Sequence, residues 1–571
     1  MSGITGVDTA GGQLRRGAAV LLEVLRSEGV DYIFGNPGTT ELPLIDALLE
    51  IPDVHYVLGL QEASVVAMAD GYAQAARKPG FLNLHTAGGL GHGLGNLLNA
   101  SVSQTPLVVT AGQQDSRHTI SDPLLFGDLV QIARPAVKWA QEVAHADQLP
   151  VLLRRAFHDS TAAPAGPVFL SLPMDVMEEL SAVDIGAPSQ INRQAVAGGL
   201  PELARALAGI APGRLAIIAG DEVYGSDAAA EVAAVAQCLG APVYGSSWPS
   251  RIPFATAHPL WCGNLPTQAT AIAQTLGAYD AIFALGGKSL ITILYTEGPA
   301  LPASCAVYQM SSDVRDLGRT FWTPLSVVGD VRASLQALLP ELQVLTQGRA
   351  AAYHAAGERV AAQRMQHKAQ AMQAMQAMQA MQAHRSDAVI HPSVAAWEVV
   401  RAVGPDIAIV DEAIATSSDV RLFLESAWSA QYSFLRGGAL GWGMPAAVGA
   451  SLGLGRERVV SLVGDGAALY SPQALWTAAH EKLPVTFVVM NNQEYNVLKN
   501  FMRQQKDYIS AREGTYPAMD IVNPSIDYQA LARSMGVPST KVTRAADIAP
   551  ALEAALATDG PSLVEIVIAA S

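Results

Sequence analysis

Short apolar runs alternate with longer segments of helical periodicity along most of this chain. Residues 15–28 place Ala18, Leu21, Leu22 and Leu25 on one helical face. The apolar runs at 32–34, 56–60, 80–85, 107–111, 137–143 and 167–172 read as strands, with helical segments at 41–49, 63–76, 94–100 and 148–159 between them. A glycine-rich turn is expected at 88–91. Strands alternating with helices in this way predict an α/β fold with doubly wound, mostly parallel sheets. The pattern pauses at the polar stretch 187–193 and resumes with strands at 215–219, 242–245 and 281–285 and a helix at 227–239. A third set contains strands at 407–410, 459–463, 485–490 and 562–567. The expected organisation is therefore three α/β domains, at 1–185, 194–342 and 386–571.

Residues 343–385 stand apart. They contain AQAMQAMQAMQAMQA at 369–383, built from residues that favour helix. A period of three drifts around a helix, so the stretch reads as an exposed, low-complexity helical linker rather than a cofactor or metal site. Residues 1–14 are Gly- and Thr-rich and are expected to fray.

Composition narrows the possibilities. The 571 residues are half apolar, ample for several large cores. A net charge of −15 argues against a nucleic-acid surface. With neither a signal-peptide pattern nor a run of 18 apolar residues, a soluble cytoplasmic protein is the expectation. Cys238, Cys262 and Cys305 lack metal-ligand spacing and read as ordinary thiols.

One stretch carries candidate chemistry. The apolar run 459–463 ends in Gly464-Asp465-Gly466, a helical segment follows at 471–480, and the run 485–490 ends in Asn491-Asn492. This is a βαβ unit with polar residues at the carboxyl ends of both strands, the edge where open α/β sheets bind ligands. The glycines permit close approach to a bulky anion, and a helix N-terminus favours negative charge. Asp465 and Asn492 offer hard oxygen ligands suited to Mg²⁺ bridging a diphosphate.

That arrangement resembles the thiamin-diphosphate-binding motif. The resemblance extends over roughly 15–340 and 385–568, to the thiamin-diphosphate-dependent decarboxylases and carboligases of the benzoylformate decarboxylase type. It is carried by GNPGTTELP (35–43), LQEASVVAMADGYAQA (60–75), NLHTAGG (83–89), VVTAGQQ (108–114) and ALWTAAH (474–480). It implies an N-terminal pyrimidine-binding domain, a middle domain and a C-terminal diphosphate-binding domain. It also implies Glu62 as the protonated acid that activates the cofactor's pyrimidine, although a first-turn acid also stabilises a helix dipole. Thr39 suits an N-cap, and by resemblance its hydroxyl faces substrate. His85 ends a strand at the expected site and can move protons near neutral pH; His92 is a second candidate. By the same resemblance Leu440 lies under the bent cofactor and the Gly438 carbonyl holds its amine. Asn36, Gly464, Gly466, Ala467 and Tyr495 contact the cofactor, and the backbone carbonyl of Glu494 completes the metal set with Asp465 and Asn492. Val497, Leu498 and Phe501 line a substrate pocket. Glu62 of one chain is expected to face the diphosphate site of its neighbour, so a homodimer at minimum, and a homotetramer by family habit, is implied. FAD, carried by some relatives, is not expected, since no G-x-G-x-x-G stands at a strand–helix turn.

Three departures matter. Relatives present serine where Thr39 stands, and they supply a second catalytic histidine from the middle domain. The matching stretch 286–298 (GGKSLITILYTEG) has none, and Ile293 takes that place. Relatives also place diphosphate-binding hydroxyls after the strand at 407–410, where this chain has Ile414-Ala415 before Thr416-Ser417. The resemblance thus implies decarboxylation of a benzoylformate-like 2-oxo acid, possible carboligation of the aldehyde unit, and rivals in an acetolactate-synthase-like carboligase or a 2-hydroxyacyl lyase. A non-catalytic scaffold retaining the fold is the rival from another class, and a scaffold has no need of Glu62, Asp465 and Asn492 together.

Overall fold

The computed structural model describes residues 14–383, 389–429 and 431–570; the fraying expected of the N-terminus falls mostly on residues 1–13, outside the described residues. The chain divides into two compact units, Met1–Gln190 with Gly437–Gly455, and Ile191–Arg436 with Arg456–Ser571.

In the first unit, strands β1 (Tyr32–Gly35), β2 (His55–Leu58), β3 (Gly80–His85), β4 (Leu107–Gln113), β5 (Ala140–Glu142) and β6 (Val168–Pro173) form one parallel sheet in the order β2-β1-β3-β4-β6-β5. Leu21, Leu25, Ile33, Phe81, Val108 and Leu153 belong to the core on one face. Helix α1 (Glu62–Ala76) packs against α2 (Thr86–Val102) and α3 (Gly443–Gly453). The α1–α3 contact depends on glycine. A Cβ on Gly71 would lie 2.1 Å from the Ala446 carbonyl oxygen, and one on Gly449 only 1.8 Å from that of Met68. Buried Asp70 ties the pair, accepting from Trp442 Nε1 at 2.7 Å and Gln74 Nε2 at 2.8 Å.

The glycine-rich stretch 88–91 is not the expected turn but lies inside α2. Glycine is a poor helix former, and packing supplies a reason for it at two positions, while Gly88 and Gly91 have open space around them. A Cβ on Gly89 would approach Glu62 Oε1 to 2.9 Å, and one on Gly93 would approach Val66 Cγ2 to 3.0 Å.

The second unit holds two more six-stranded parallel sheets. The middle one contains β7 (Leu215–Ala219), β8 (Val243–Gly245), β9 (Trp261–Asn264), β10 (Ala281–Leu285), β11 (Ala306–Ser311) and β12 (Leu325–Val328), in the order β9-β8-β7-β10-β11-β12. The other contains β13 (Ala408–Glu412), β14 (Tyr432–Phe434), β15 (Val459–Gly464), β16 (Val485–Asn491), β17 (Ser539–Val542) and β18 (Ser562–Val567), in the order β14-β13-β15-β16-β18-β17. This last sheet repeats the topology of the first, whereas the middle sheet has the order of a dinucleotide-binding fold. One apolar cluster runs through both sheets of the unit, from Ile217 and Phe283 to Leu462 and Ile566. Among the described residues no helix is long and apolar enough to cross a membrane.

The repeat does form a helix, Ala350–Ala383, but it is not simply exposed. Tyr353, Ala356 and Met375 are buried, and Met372 and Met378 pack against the core. Each three-residue step turns the helix by about 300°. Three successive methionines therefore stay within about 120° of each other and can share one buried side before the drift carries Met381 out.

Candidate active site

The carboxyl end of the first sheet gathers Glu62, His92, His85, Thr40 and Glu41. Glu62 opens α1 and is buried. The Gln61 side chain caps the helix through the Ser64 N–H at 3.0 Å. Glu62 Oε2 lies 3.1 Å from Nδ1 of His92, which stands on α2 with an exposed side chain. His85 ends β3, and its Nδ1 lies 2.8 Å from Glu41 Oε2 and 3.1 Å from Thr40 Oγ1. Glu41 is buried and also accepts from the Gly38 and Gly112 N–H groups and the Thr40 hydroxyl. Gly38 is required here, because a Cβ would come within 2.4 Å of the His85 ring.

The Glu41 hydrogen bond is the largest influence on His85. It raises the imidazole above its ordinary value against the opposing effect of burial, with smaller contributions from the Glu41 and Glu62 charges. With Nδ1–H donated to a carboxylate, Nε2 is the nitrogen left to exchange a proton with a substrate. The junction after His85 is strained: Thr86, β-branched, fully buried and with φ +51°, occupies the left-handed region.

Sequence reasoning named Thr39 and passed over Thr40 and Glu41. In the structure Thr39 is exposed at the start of a 3-10 turn, while Thr40 is buried and touches His85. Asn36 is half-buried just after β1. Glu41 was hidden because a glutamate at a helix entrance reads as a dipole or capping residue, which by its bond to the Gly38 N–H it also is.

Gly438 and Leu440 lie on the loop before α3. Gly438 has φ +83°, a conformation suited to glycine, and is exposed; Leu440 is half-buried. Two asparagines of α2, also missed, clamp this loop. Asn99 accepts from the Ala439 N–H at 3.0 Å and donates to its carbonyl at 2.7 Å. Asn96 Nδ2 donates to the carbonyl of Ala63, beside Glu62, at 2.8 Å and to that of Gly441 at 3.4 Å. Gly437 permits the clamp, since a Cβ there would meet Asn99 Oδ1 at 2.3 Å.

In the second unit, β15 and β16 are adjacent and parallel, with Gly464 opposite Met490. Their tips bring Asp465 and the Asn491–Glu494 turn together: Asp465 Oδ2 accepts from the Gln493 N–H at 2.6 Å and Oδ1 from the Gly466 N–H at 2.8 Å. Burial, outweighing these bonds, pushes the Asp465 carboxyl up to about 6. The two asparagines divide their work. Asn491 is buried and donates to Glu565 at 2.7 Å, whereas the Asn492 amide oxygen accepts from the Glu494 N–H at 3.1 Å. Gln493 takes φ +59° between them. The Glu494 side chain pairs with Lys499, which also donates to Asp520 at 2.5 Å. A buried carboxylate held by backbone N–H groups, beside an amide oxygen and the Glu494 backbone, is a set of hard oxygen donors that fits Mg²⁺.

Ala467 is buried, Gly464 has open space where a Cβ would stand, and Gly466 lies against the Tyr495 ring. Thr416 and Ser417 are buried with their hydroxyls bonded to the carbonyls of Ala413 and Ile414. The helix Asn496–Gln504 inverts ordinary amphipathicity. Asn496 and Lys499 are buried, while Leu498 is exposed and Val497 and Phe501 are half-buried. Ile293 is exposed in the loop after β10.

At the switch point of the middle sheet, between β7 and β10, the carboxylate of Glu222 accepts hydrogen bonds from Ser311 and from the Ser312 N–H and hydroxyl.

Three family models match in series: the thiamine pyrophosphate enzyme N-terminal TPP binding domain over residues 15–133, the central domain over 203–338, and the C-terminal TPP binding domain over 422–566. The benzoylformate decarboxylase of Pseudomonas aeruginosa is 32% identical, over 95% of this chain and 97% of that protein. The mitochondrial acetolactate synthase catalytic subunit of Aspergillus candidus is 25% identical, over 97% of this chain and 80% of its own. Among solved structures, a thiamine diphosphate-dependent 4-hydroxybenzoylformate decarboxylase from Rhodococcus jostii superposes with a TM-score of 0.84 at 29% identity, covering 98% of this chain and 100% of the other. With these three domain matches in order and that identity over nearly its whole length, the chain belongs to the thiamine pyrophosphate enzyme family.

Proposed function

We propose that this enzyme uses thiamin diphosphate and Mg²⁺ to decarboxylate an aryl 2-oxo acid of the benzoylformate kind, with part of the aldehyde unit passing to a second carbonyl. The observation that carries this reading is the presence in one unit of buried Glu62 and of His85 set by Glu41. Relatives bearing benzoylformate decarboxylase names support the substrate class.

When bound, thiamin diphosphate supplies a nucleophilic carbon and an electron sink for loss of CO₂. Glu62 holds a proton toward its pyrimidine ring, and Asn96 steadies that helix start. Gly438 and Leu440 would hold the cofactor, with Asn36, Gly464, Gly466, Ala467 and Tyr495 as further contacts. Asp465, Asn492 and the Glu494 carbonyl would hold Mg²⁺. His85 moves protons through Nε2, Thr39 offers a hydroxyl at the same strand edge, and His92 is a second candidate for proton transfer. Val497, Leu498 and Phe501 offer an apolar surface to an aryl group. The active form is a dimer at minimum, more specifically a tetramer, and an active species sedimenting at the monomer mass would contradict this.

A second reading, carboligase or 2-hydroxyacyl lyase, draws on Ile293 in a segment without histidine, which leaves one proton donor fewer. Chromatography of products from purified protein given benzoylformate, pyruvate or paired aldehydes, with and without thiamin diphosphate, separates the two. Cofactor-dependent benzaldehyde from benzoylformate supports the first reading; products only from pyruvate or paired aldehydes support the second.

A further inference from the structure

The second unit contains a cavity of about 270 Å³ that shares no residue with the groups above. It lies at the edge of the middle sheet, beside β8 and β9, and is covered by the Ala350–Ala383 helix and by residues 421–424. Tyr244, Tyr279 and Trp261 provide aromatic lining. The two tyrosine hydroxyls lie 3.1 Å apart.

Its other lining is basic. Arg364, His367 and Lys368 stand at i, i+3 and i+4 on the long helix and so share one face. Arg421 joins them from the facing segment. Arg364 donates to the Thr256 carbonyl at 2.6 Å, and Lys368 pairs with exposed Glu425. The Arg421 guanidinium carbon lies 5.1 Å from the centre of the Phe434 ring and 6.0 Å from that of Tyr432. Even so, Arg421 Nη1 is buried without a hydrogen-bond partner. A buried cationic donor left unmet is costly, and an anion relieves that cost.

The packing of Met372, Met375 and Met378 accounts for the repeat downstream of this face. It pins the helix so that Arg364, His367 and Lys368 are held over the cavity. The volume is at the small end for ligand pockets, suited to one ring with one anionic group and not to a nucleotide.

We propose that this cavity is a second binding site, for a small aromatic carboxylate, with Arg421 meeting the carboxylate and Tyr244, Tyr279 and Trp261 meeting the ring. The test uses the holoenzyme and benzoate as probe. Calorimetry is expected to show saturable benzoate binding that Arg421→Gln weakens by about tenfold or more, with turnover retained. Benzyl alcohol, lacking the charge, is expected not to bind there, and inorganic phosphate, lacking the ring, not to displace benzoate. Arg421 also stacks on two core aromatics, so a second measurement guards against a folding defect. Cys262 lines the cavity, and burial pushes its thiol up to about 11. In mildly alkaline buffer benzoate is expected to slow alkylation of Cys262 in the unmodified protein while leaving Cys238 and Cys305 unaffected. An unchanged Cys262 rate, equal affinity in Arg421→Gln, or equal binding of benzyl alcohol or phosphate would overturn the proposal.

Discussion

Glu41 Oε2 and His85 Nδ1 lie 2.8 Å apart, and the glutamate is almost fully buried. The pair ties the entrance of one βα connection to the end of the neighbouring strand. It also explains why a strand-end histidine is oriented with one nitrogen committed and the other available.

The first prediction follows from that pair. Glu41 raises the pKa of His85 above its ordinary value near 6.5. The stability this adds is fully present below that ordinary value and is lost as pH rises through the raised one. Glu41→Gln is expected to lower the His85 midpoint in an NMR titration and to shift the basic limb of the activity profile to lower pH. A midpoint that does not move would remove Glu41 from the account.

The second concerns the helix contact beneath Glu62. Gly449→Ala places a methyl 1.8 Å from the Met68 carbonyl oxygen, a backbone atom that cannot rotate away. Overpacking of this kind typically costs about 1–3 kcal/mol. Chemical denaturation is expected to show that loss, and wild-type stability would mean that α1 and α3 separate easily.

Much of this was legible in the sequence, and the misses share a cause. The strands at 80–85 and 459–463 were readable because fully buried strands are short apolar runs, and Gly464-Asp465-Gly466 and Asn491-Asn492 then had to meet at adjacent parallel tips. Glu62 was legible from its resemblance to a known pattern. What local pattern could not show was tertiary. Glycines at 88–91 suggested a turn, but they lie inside a helix, where α1 crowds Gly89 and, one turn on, Gly93. Thr39 and Thr40 are neighbours of like chemistry, and only the 3-10 turn decides which one is buried. Asn96 and Asn99 look like unremarkable helix residues until the loop before α3, more than 300 residues away, is placed beside them.

The third prediction tests the metal. Asp465→Ala removes the one charged ligand in the proposed set and is expected to abolish tight thiamin diphosphate binding. The measurement is calorimetry after EDTA treatment and Mg²⁺ add-back. Undiminished affinity would exclude Asp465 as a ligand.

The fourth concerns Ile293. A well-placed acid contributes about 10²–10⁴-fold to a proton-transfer step, and with isoleucine at 293 that duty falls to His85, His92 or water. The expected outcome is a high ratio of carboligation to aldehyde release, shifted toward aldehyde by Ile293→His. Chromatography with one 2-oxo acid and excess acceptor aldehyde measures it. Exclusive aldehyde release by the unmodified enzyme would show that the missing histidine is not limiting.

The fifth prediction bears on Glu62, the residue on which the whole account depends. Its carboxyl can give a proton to the cofactor's pyrimidine ring, while an amide of the same shape cannot. The most direct measurement is CO₂ release from benzoylformate by wild-type protein and by Glu62→Gln, each loaded with thiamin diphosphate and Mg²⁺, with cofactor binding checked in parallel. The account predicts cofactor-dependent CO₂ release by the wild type and loss of most of it in a variant that still binds the cofactor. Near wild-type release by Glu62→Gln, or no cofactor-dependent release by the wild type, would contradict it.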